Sequence, residues 1–190
     1  EIRKNNPNFI DLCLNPSLVN EITLQPLKRF DIDAAIIFSD ILMVPYGLGQ
    51  KVEFIKGKGP KLSEFNMKVF LENDEANFTK RLEPVYQAIA KTRKKLSKDK
   101  SLISFIGAPW TLIVYMMGLR QDKKNVNLEN IKKNFKKDLI LEKLNKYLCL
   151  HIKNQMNAGA DVVQIFDSWA GIIPDGEIND YCFSPNQKLV

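Results

Sequence analysis

Cysteine is scarce: Cys13, Cys149 and Cys182 are the only three among 190 residues, widely spaced and without a C-x-x-C pair. Neither a disulfide framework nor a local zinc site is indicated, and buried or idle thiols are the expectation. No apolar run approaches the ~20 residues that span a bilayer, and no basic start leads into an apolar core as in a signal peptide. A cytoplasmic location without membrane partners follows as the default. G-x-x-x-x-G-K-[ST] is missing, and Gly57 and Gly59 complete no G-x-G-x-x-G turn between a strand and a helix, which removes the usual support for a nucleotide site. No helix-turn-helix, RNP-like aromatic pair or Cys/His finger speaks for nucleic acid. An initiator Met is lacking too: the chain opens on Glu1-Ile2-Arg3-Lys4-Asn5-Asn6, which reads as the middle of a protein, so a fragment is expected.

What remains is ordinary globular composition, 45% hydrophobic and 26% charged, enough for one domain over residues 1–190 with a sizeable core. Twenty-eight Lys and Arg against 22 Asp and Glu give +6, a charge that could attract a polyanion. The runs 91–100 and 123–143, however, set their charges among helix-spaced apolar residues, the pattern of solvated helix faces.

Three apolar runs recur with helical stretches between them: Asp33 to Ser39, Leu102 to Ile106 and Asp161 to Phe166. Each ends in a break: Asp40 and then Pro45-Tyr46-Gly47, Gly107-Ala108-Pro109-Trp110-Thr111, and Asp167-Ser168-Trp169-Ala170-Gly171. Leu128, Ile131, Phe135, Leu139, Leu144, Leu148, Ile152 and Met156 recur at helical intervals and predict a helix that Gly159 stops. Another is predicted from Pro16 to Phe30 with Asn15 as N-cap, to be bent or ended by Pro26, and a third over Ala76 to Leu96, perturbed by Pro84. Gln50 to Ser63 reads as a short extended segment and loop. The alternation specifies an α/β fold with right-handed crossovers, either a (β/α)₈ barrel or an open doubly wound sheet.

The first run is apolar along its whole length, which predicts a strand buried on both faces that delivers one carboxylate, Asp40, at its C-terminal end. Ligands of parallel sheets bind outside those ends, so Asp40 is the leading candidate for a working group. Its bland role is to cap the following loop or helix.

F-S-D-I-L (38–42), G-A-P-W-T-L followed by Val114-Tyr115-Met116 (107–116) and Q-I-F-D-S-W-A-G (164–171) resemble the uroporphyrinogen decarboxylase family in its order and spacing. Thr23-Leu24-Gln25-Pro26-Leu27 and Gly159-Ala160-Asp161 support the resemblance, which extends over essentially the whole chain. It implies a (β/α)₈ (TIM) barrel, here a partial barrel carrying strands two to four. It also implies a homodimer and conversion of the four acetate side chains of uroporphyrinogen III to the methyls of coproporphyrinogen III in heme biosynthesis, with no metal and no organic cofactor. Asp40 would accept hydrogen bonds from the pyrrole N–H groups of the tetrapyrrole substrate and stabilise the cation formed on ring protonation. Tyr115 would bind a carboxylate or Asp40 itself, and Ser168 a substrate carboxylate. Without the resemblance, Tyr115 is a half-buried aromatic and Asp167-Ser168 a capping pair. Phe38 and Phe166 read as core or pocket wall, and Trp110 and Trp169 as packing residues.

The family's basic loop, Arg-Gln-Ala-Gly-Arg, and its late substrate-binding His have no counterpart here. His151, the only histidine, lies inside a helical pattern and is expected to be structural or on the surface. A three-strand segment should have two unpaired edges and little activity alone. Three alternatives stand beside this reading. One is a related barrel methyltransferase that moves methyl groups from a corrinoid or methoxy donor to a thiol with zinc; the others are an acidic-surface or nucleic-acid binding module and an inactive barrel scaffold.

Overall fold

The computed structural model describes residues 2–55, 57–119, 137–173 and 175–190. Short helices α1 (Ile2–Asn5) and α2 (Phe9–Cys13) lead into α3 (Pro16–Leu24). Asn15 caps α3 as expected, its side-chain oxygen accepting from the N–H groups of Ser17 and Leu18 at 3.1 Å each. The helix stops at Leu24 and a single 3₁₀ turn, Pro26–Lys28, follows, so the predicted span to Phe30 is too long. Pro26 has no N–H to continue the ladder.

Then come β1 (Ala34–Ile36), α4 (Met43–Gly47), the hairpin strands β2 (Val52–Ile55) and β3 (Gly59–Leu62), α5 (Met67–Glu72) and α6 (Glu75–Lys95). β2 and β3 pair antiparallel with Val52 opposite Leu62. This is more order than the expected loop. Gly57 (φ +78°) and Gly59 (φ +85°) adopt the left-handed backbone their turn requires. Asp74 caps α6, accepting from Asn77 N–H at 2.7 Å. The helix runs through Pro84 because its buried stripe, Phe78, Leu82, Val85 and Ile89, holds it against the core.

β4 (Ser101–Gly107), α7 (Pro109–Met116), α8 (Lys137–Asn157), β5 (Val162–Phe166) and α9 (Ser184–Gln187) complete the order. Of the predicted long helix, Leu128, Ile131 and Phe135 lie outside the described residues. Gly159 (φ +108°) ends α8 as expected, with Ala160 N–H returning to the Gln155 carbonyl at 3.2 Å. His151 is 3% exposed and its Nδ1 lies 2.9 Å from the Tyr86 hydroxyl, a structural position. Burial pushes its imidazole down to about 3.

β1, β4 and β5 form one parallel sheet in sequence order, with Ala35 beside Leu102 and Ile106 beside Ile165. Each crossover leads to the adjacent position, and among the described strands no switch point reverses the order, as in the winding of a barrel. Ala35, Ile37, Leu102, Ser104 and Ile106 are buried. Ile36 (59% exposed), Val162 (46%) and Phe166 (43%) occupy the other face. Burial of the first strand on both faces is therefore not observed: the helices coat one side, and the second is the side that turns inward in a closed barrel.

At the N-terminal rim, Asp161 accepts from Arg93 at 2.8 Å and from Leu102 N–H at 2.7 Å. The same guanidinium donates to the carbonyls of Leu96, Ser97 and Lys100, joining the end of α6 to the starts of β4 and β5. Among the described residues no helix is long and apolar enough to cross a membrane.

Candidate functional site

The C-terminal ends of β1, β4 and β5 share one rim because the strands are parallel and in register. Asp40 follows β1, the Gly107–Thr111 turn follows β4, and Asp167-Ser168 follows β5. The three motifs of the sequence thus occupy one edge.

Asp40 is half-buried. Its Oδ1 accepts from Leu42 N–H at 2.8 Å, an Asx turn that fixes the side chain, so the capping role also holds. No described residue donates to its second oxygen. Burial pushes the carboxyl up from its ordinary value, against the Leu42 N–H, which pulls it down. Cys13 lies within its field: burial first, and then the Asp40 charge, push this thiol up to about 12. Cys13 and Cys182 are buried, Cys149 is exposed, and none of the three is in a disulfide.

The Asp40 loop is seated on the next strand. A Cβ added at Gly107 would lie 3.1 Å from the Ile41 Cβ and 2.8 Å from Leu112 Cδ2, so glycine is what lets Ile41 approach the end of β4. Phe38 packs edge-on against Phe9, ring centroids 5.6 Å apart, and Phe166 against Phe105 at 5.5 Å. Phe38 packs against the core, whereas Phe166 is 43% exposed on the sheet's open face.

Tyr115, partly buried on α7, stands 6.2 Å centroid to centroid from the Trp169 ring, which neighbours Ser168. It also lines a cleft of about 300 Å³ with Lys61 and Phe65. Gln50 docks the hairpin on the end of this helix, its Nε2 donating to the carbonyls of Ser63 and Met116 at 2.7 Å each. Tyr115 and Ser168 thus share a neighbourhood. No described hydrogen bond or ring contact joins either to Asp40; the link between them is the packing of Ile41 on Gly107.

Ser168 is exposed and its hydroxyl has no partner among the described residues. Its neighbours are tightly held. The Thr111 hydroxyl donates to Asp167 Oδ1 at 2.7 Å and accepts from Trp169 N–H at 3.1 Å, and Trp110 Nε1–H donates to the Trp169 carbonyl at 2.9 Å. Trp110 is fully buried and Trp169 nearly so, which agrees with their reading as packing residues. The role of Thr111 was not legible, since its partners lie more than fifty positions away. Its adjacency to Trp110 in a motif at a strand end was the only signal. Among the described residues no three His, Cys, Asp or Glu side chains cluster so as to hold a metal ion.

A rim that presents a desolvated carboxylate, a phenol and a free hydroxyl can accept hydrogen bonds from an N–H-rich ligand and donate to its carboxylates. The comparisons agree with the motifs. The family model for uroporphyrinogen decarboxylase (URO-D) matches residues 1–190. Relatives named uroporphyrinogen decarboxylase include one from Orientia tsutsugamushi (strain Ikeda), 44% identical, and one from Rickettsia bellii (strain RML369-C), 42% identical. Each match takes in all of this chain and 56% of the relative, so the chain spans about half their length. A methyltransferase from Methanosarcina mazei shares the fold, with a TM-score of 0.75 at 18% identity over 93% of this chain and 53% of that one. With a family match along its whole length and the three rim motifs in register, this chain belongs to the uroporphyrinogen decarboxylase family.

Proposed function

We propose that the whole protein removes the four acetate carboxyls of uroporphyrinogen III as CO₂ and yields coproporphyrinogen III. Asp40 would work as binder and transition-state stabiliser, with Tyr115 and Ser168 as carboxylate-binding groups. A proton added to the pyrrole ring creates a cation. The bond between the acetate methylene and its carboxylate then breaks, CO₂ leaves, and the bond's electron pair flows toward that cation; protonation of the methylene gives the methyl, and the ring releases the proton it first took up. A fixed carboxylate lowers the barrier where positive charge develops. Asn could not take this role equally, because it carries no charge and offers fewer acceptor sites to several N–H groups at once.

The observation that carries the reading is Asp40 itself: a half-buried carboxylate at a strand's C-terminal end, one oxygen fixed by Leu42 N–H and the other without a described donor. The relatives' shared name supports the substrate class. A cytoplasmic homodimer acting without metal or organic cofactor belongs to the same proposal. The likeness to the methyltransferase supports a common fold and no particular chemistry; stoichiometric, tightly held zinc in the whole protein would redirect the reading toward it.

The test is anaerobic turnover of uroporphyrinogen III by the whole protein and its Asp40→Asn variant, with products separated by carboxyl number. A loss of roughly 100-fold or more is expected, on the scale of removing one electrostatic stabiliser. An unchanged rate would overturn the assignment of Asp40, and absence of any decarboxylated product from the parent would overturn the function.

A further inference from the structure

The described hydrogen bonds near Ser168 go to its neighbours. Thr111 is fully buried at the start of α7, and its single hydroxyl spans Ser168: the proton goes to Asp167 on one side and a lone pair takes the Trp169 N–H on the other. An ionised carboxylate only accepts and a backbone N–H only donates, so the direction of both bonds is fixed. Trp110 Nε1–H holds the Trp169 carbonyl, and Asn186 Nδ2 reaches the second oxygen of Asp167 at 3.3 Å. With Trp169 N–H anchored, the planar peptide between Ser168 and Trp169 is oriented. Ser168 keeps little freedom beyond rotation of its own side chain.

We infer that Thr111 is a positioning residue, whose hydroxyl aims that of Ser168 across the rim at a carboxylate of the ligand. The inference rests on the proposed function above and goes beyond it, since it assigns work to a buried group that touches no substrate. It also gives two motifs one purpose: Trp110-Thr111 on α7 grips Asp167 and Trp169 so that the residue between them is presented. A tie that merely fastens α7 to the loop after β5 would have no need to bracket an exposed serine with an unused hydroxyl.

The experiment is a double-mutant cycle in the whole protein, reading kcat/KM for uroporphyrinogen III together with the thermal midpoint. Thr111→Val keeps the shape and removes both bonds. Thr111→Val and Ser168→Ala are each expected to lower kcat/KM by about tenfold or more, since displacement of a binding group by ~1 Å can cost up to 100-fold. The double variant is expected to be no worse than the poorer single one, because a misaimed hydroxyl and an absent one are equivalent. Thr111→Ser, which retains the hydroxyl, should recover activity to within about twofold of the parent. Should the Val variant not accumulate folded, Thr111→Cys, a weak donor of similar size, carries the same cycle.

Losses that multiply in the double variant, or a Thr111→Val protein with parental kcat/KM, overturn the inference while leaving the function intact. A Ser168→Ala protein with parental kcat/KM beside a disabled Asp40→Asn protein overturns it as well and removes Ser168 from the site. If the parent gives no decarboxylated product, the functional reading fails and the inference falls with it.

Discussion

Gly107 and Ile41 approach so closely that a Cβ on the glycine would sit 3.1 Å from the Ile41 Cβ, with Leu112 Cδ2 nearer still at 2.8 Å. Leu112 can swing its side-chain end away, whereas Ile41 Cβ is anchored to the backbone beside Asp40. Gly107→Ala should therefore move the Asp40 loop and destabilise the protein by about 1–3 kcal/mol, the range for overpacked sites. Urea midpoints and turnover of the whole protein check this. An Ala variant with parental values in both would show that the loop is not seated on Gly107.

Asp40 is expected to link pH to stability and, through the proposed function, to activity. Its carboxyl is raised in the folded chain, so between the ordinary carboxylate value and the raised one the folded state holds a proton that the unfolded state has released. Stability from this group is present at low pH and is lost as pH rises through that window. Asp40→Asn, which keeps an acceptor for Leu42 N–H, should be at least as stable as the parent at pH 7, with its advantage shrinking toward acid. Asp40→Ala also forfeits the Asx turn, at a cost of about 1 kcal/mol. The acid limb of the parent's kcat profile should lie above the ordinary carboxylate value. Denaturant midpoints against pH, together with the kcat profile, decide the matter; a less stable Asn variant at neutral pH would count against burial as the cause.

His151 shows the opposite sign. Its imidazole stays neutral in the fold down to about 3, while the unfolded chain takes up a proton near 6.5. Stability is complete above pH 6.5 and declines as pH falls toward 3, with a limiting slope of about 1.4 kcal/mol per pH unit for one proton. His151→Gln should flatten that part of the curve. A parent and variant with parallel pH dependence would exclude His151 as its origin.

The face bearing Ile36, Val162 and Phe166 leads to a fourth expectation. Three large apolar side chains more than 40% exposed on one small sheet, with β1 and β5 as its edges, favour self-association of the isolated 190-residue chain. Gel filtration should show oligomers or aggregate, and turnover should be negligible beside that of the whole protein. A monodisperse chain with equal turnover per mole would refute this.

Local chemistry was legible wherever one residue settles the backbone. Asn15 caps, Pro26 stops, Gly159 reverses, and the three apolar runs become strands. The hairpin at 52–62 was underread because four-residue strands give little alternation, although Val52, Phe54, Gly57 and Gly59 carried a signal. Which side of a strand is covered was not legible, since Ala35 and Ile36 are both apolar and only the placement of helices separates them. Asp40 could be singled out because a charge ending an apolar run is conspicuous. Thr111 could not, because its meaning depends on Asp167 and Trp169, which the fold alone brings to it.

Arg93 and Asp161 lie at the rim opposite Asp40, and their contacts fasten the ends of three elements without reaching the Asp40 edge. The sheet thus separates two kinds of vulnerability along its length. Damage at the arginine end is expected to diminish how many molecules survive in working shape and to leave each survivor's speed unchanged. Damage at the aspartate end is expected to slow every member that survives, whatever it does to their number.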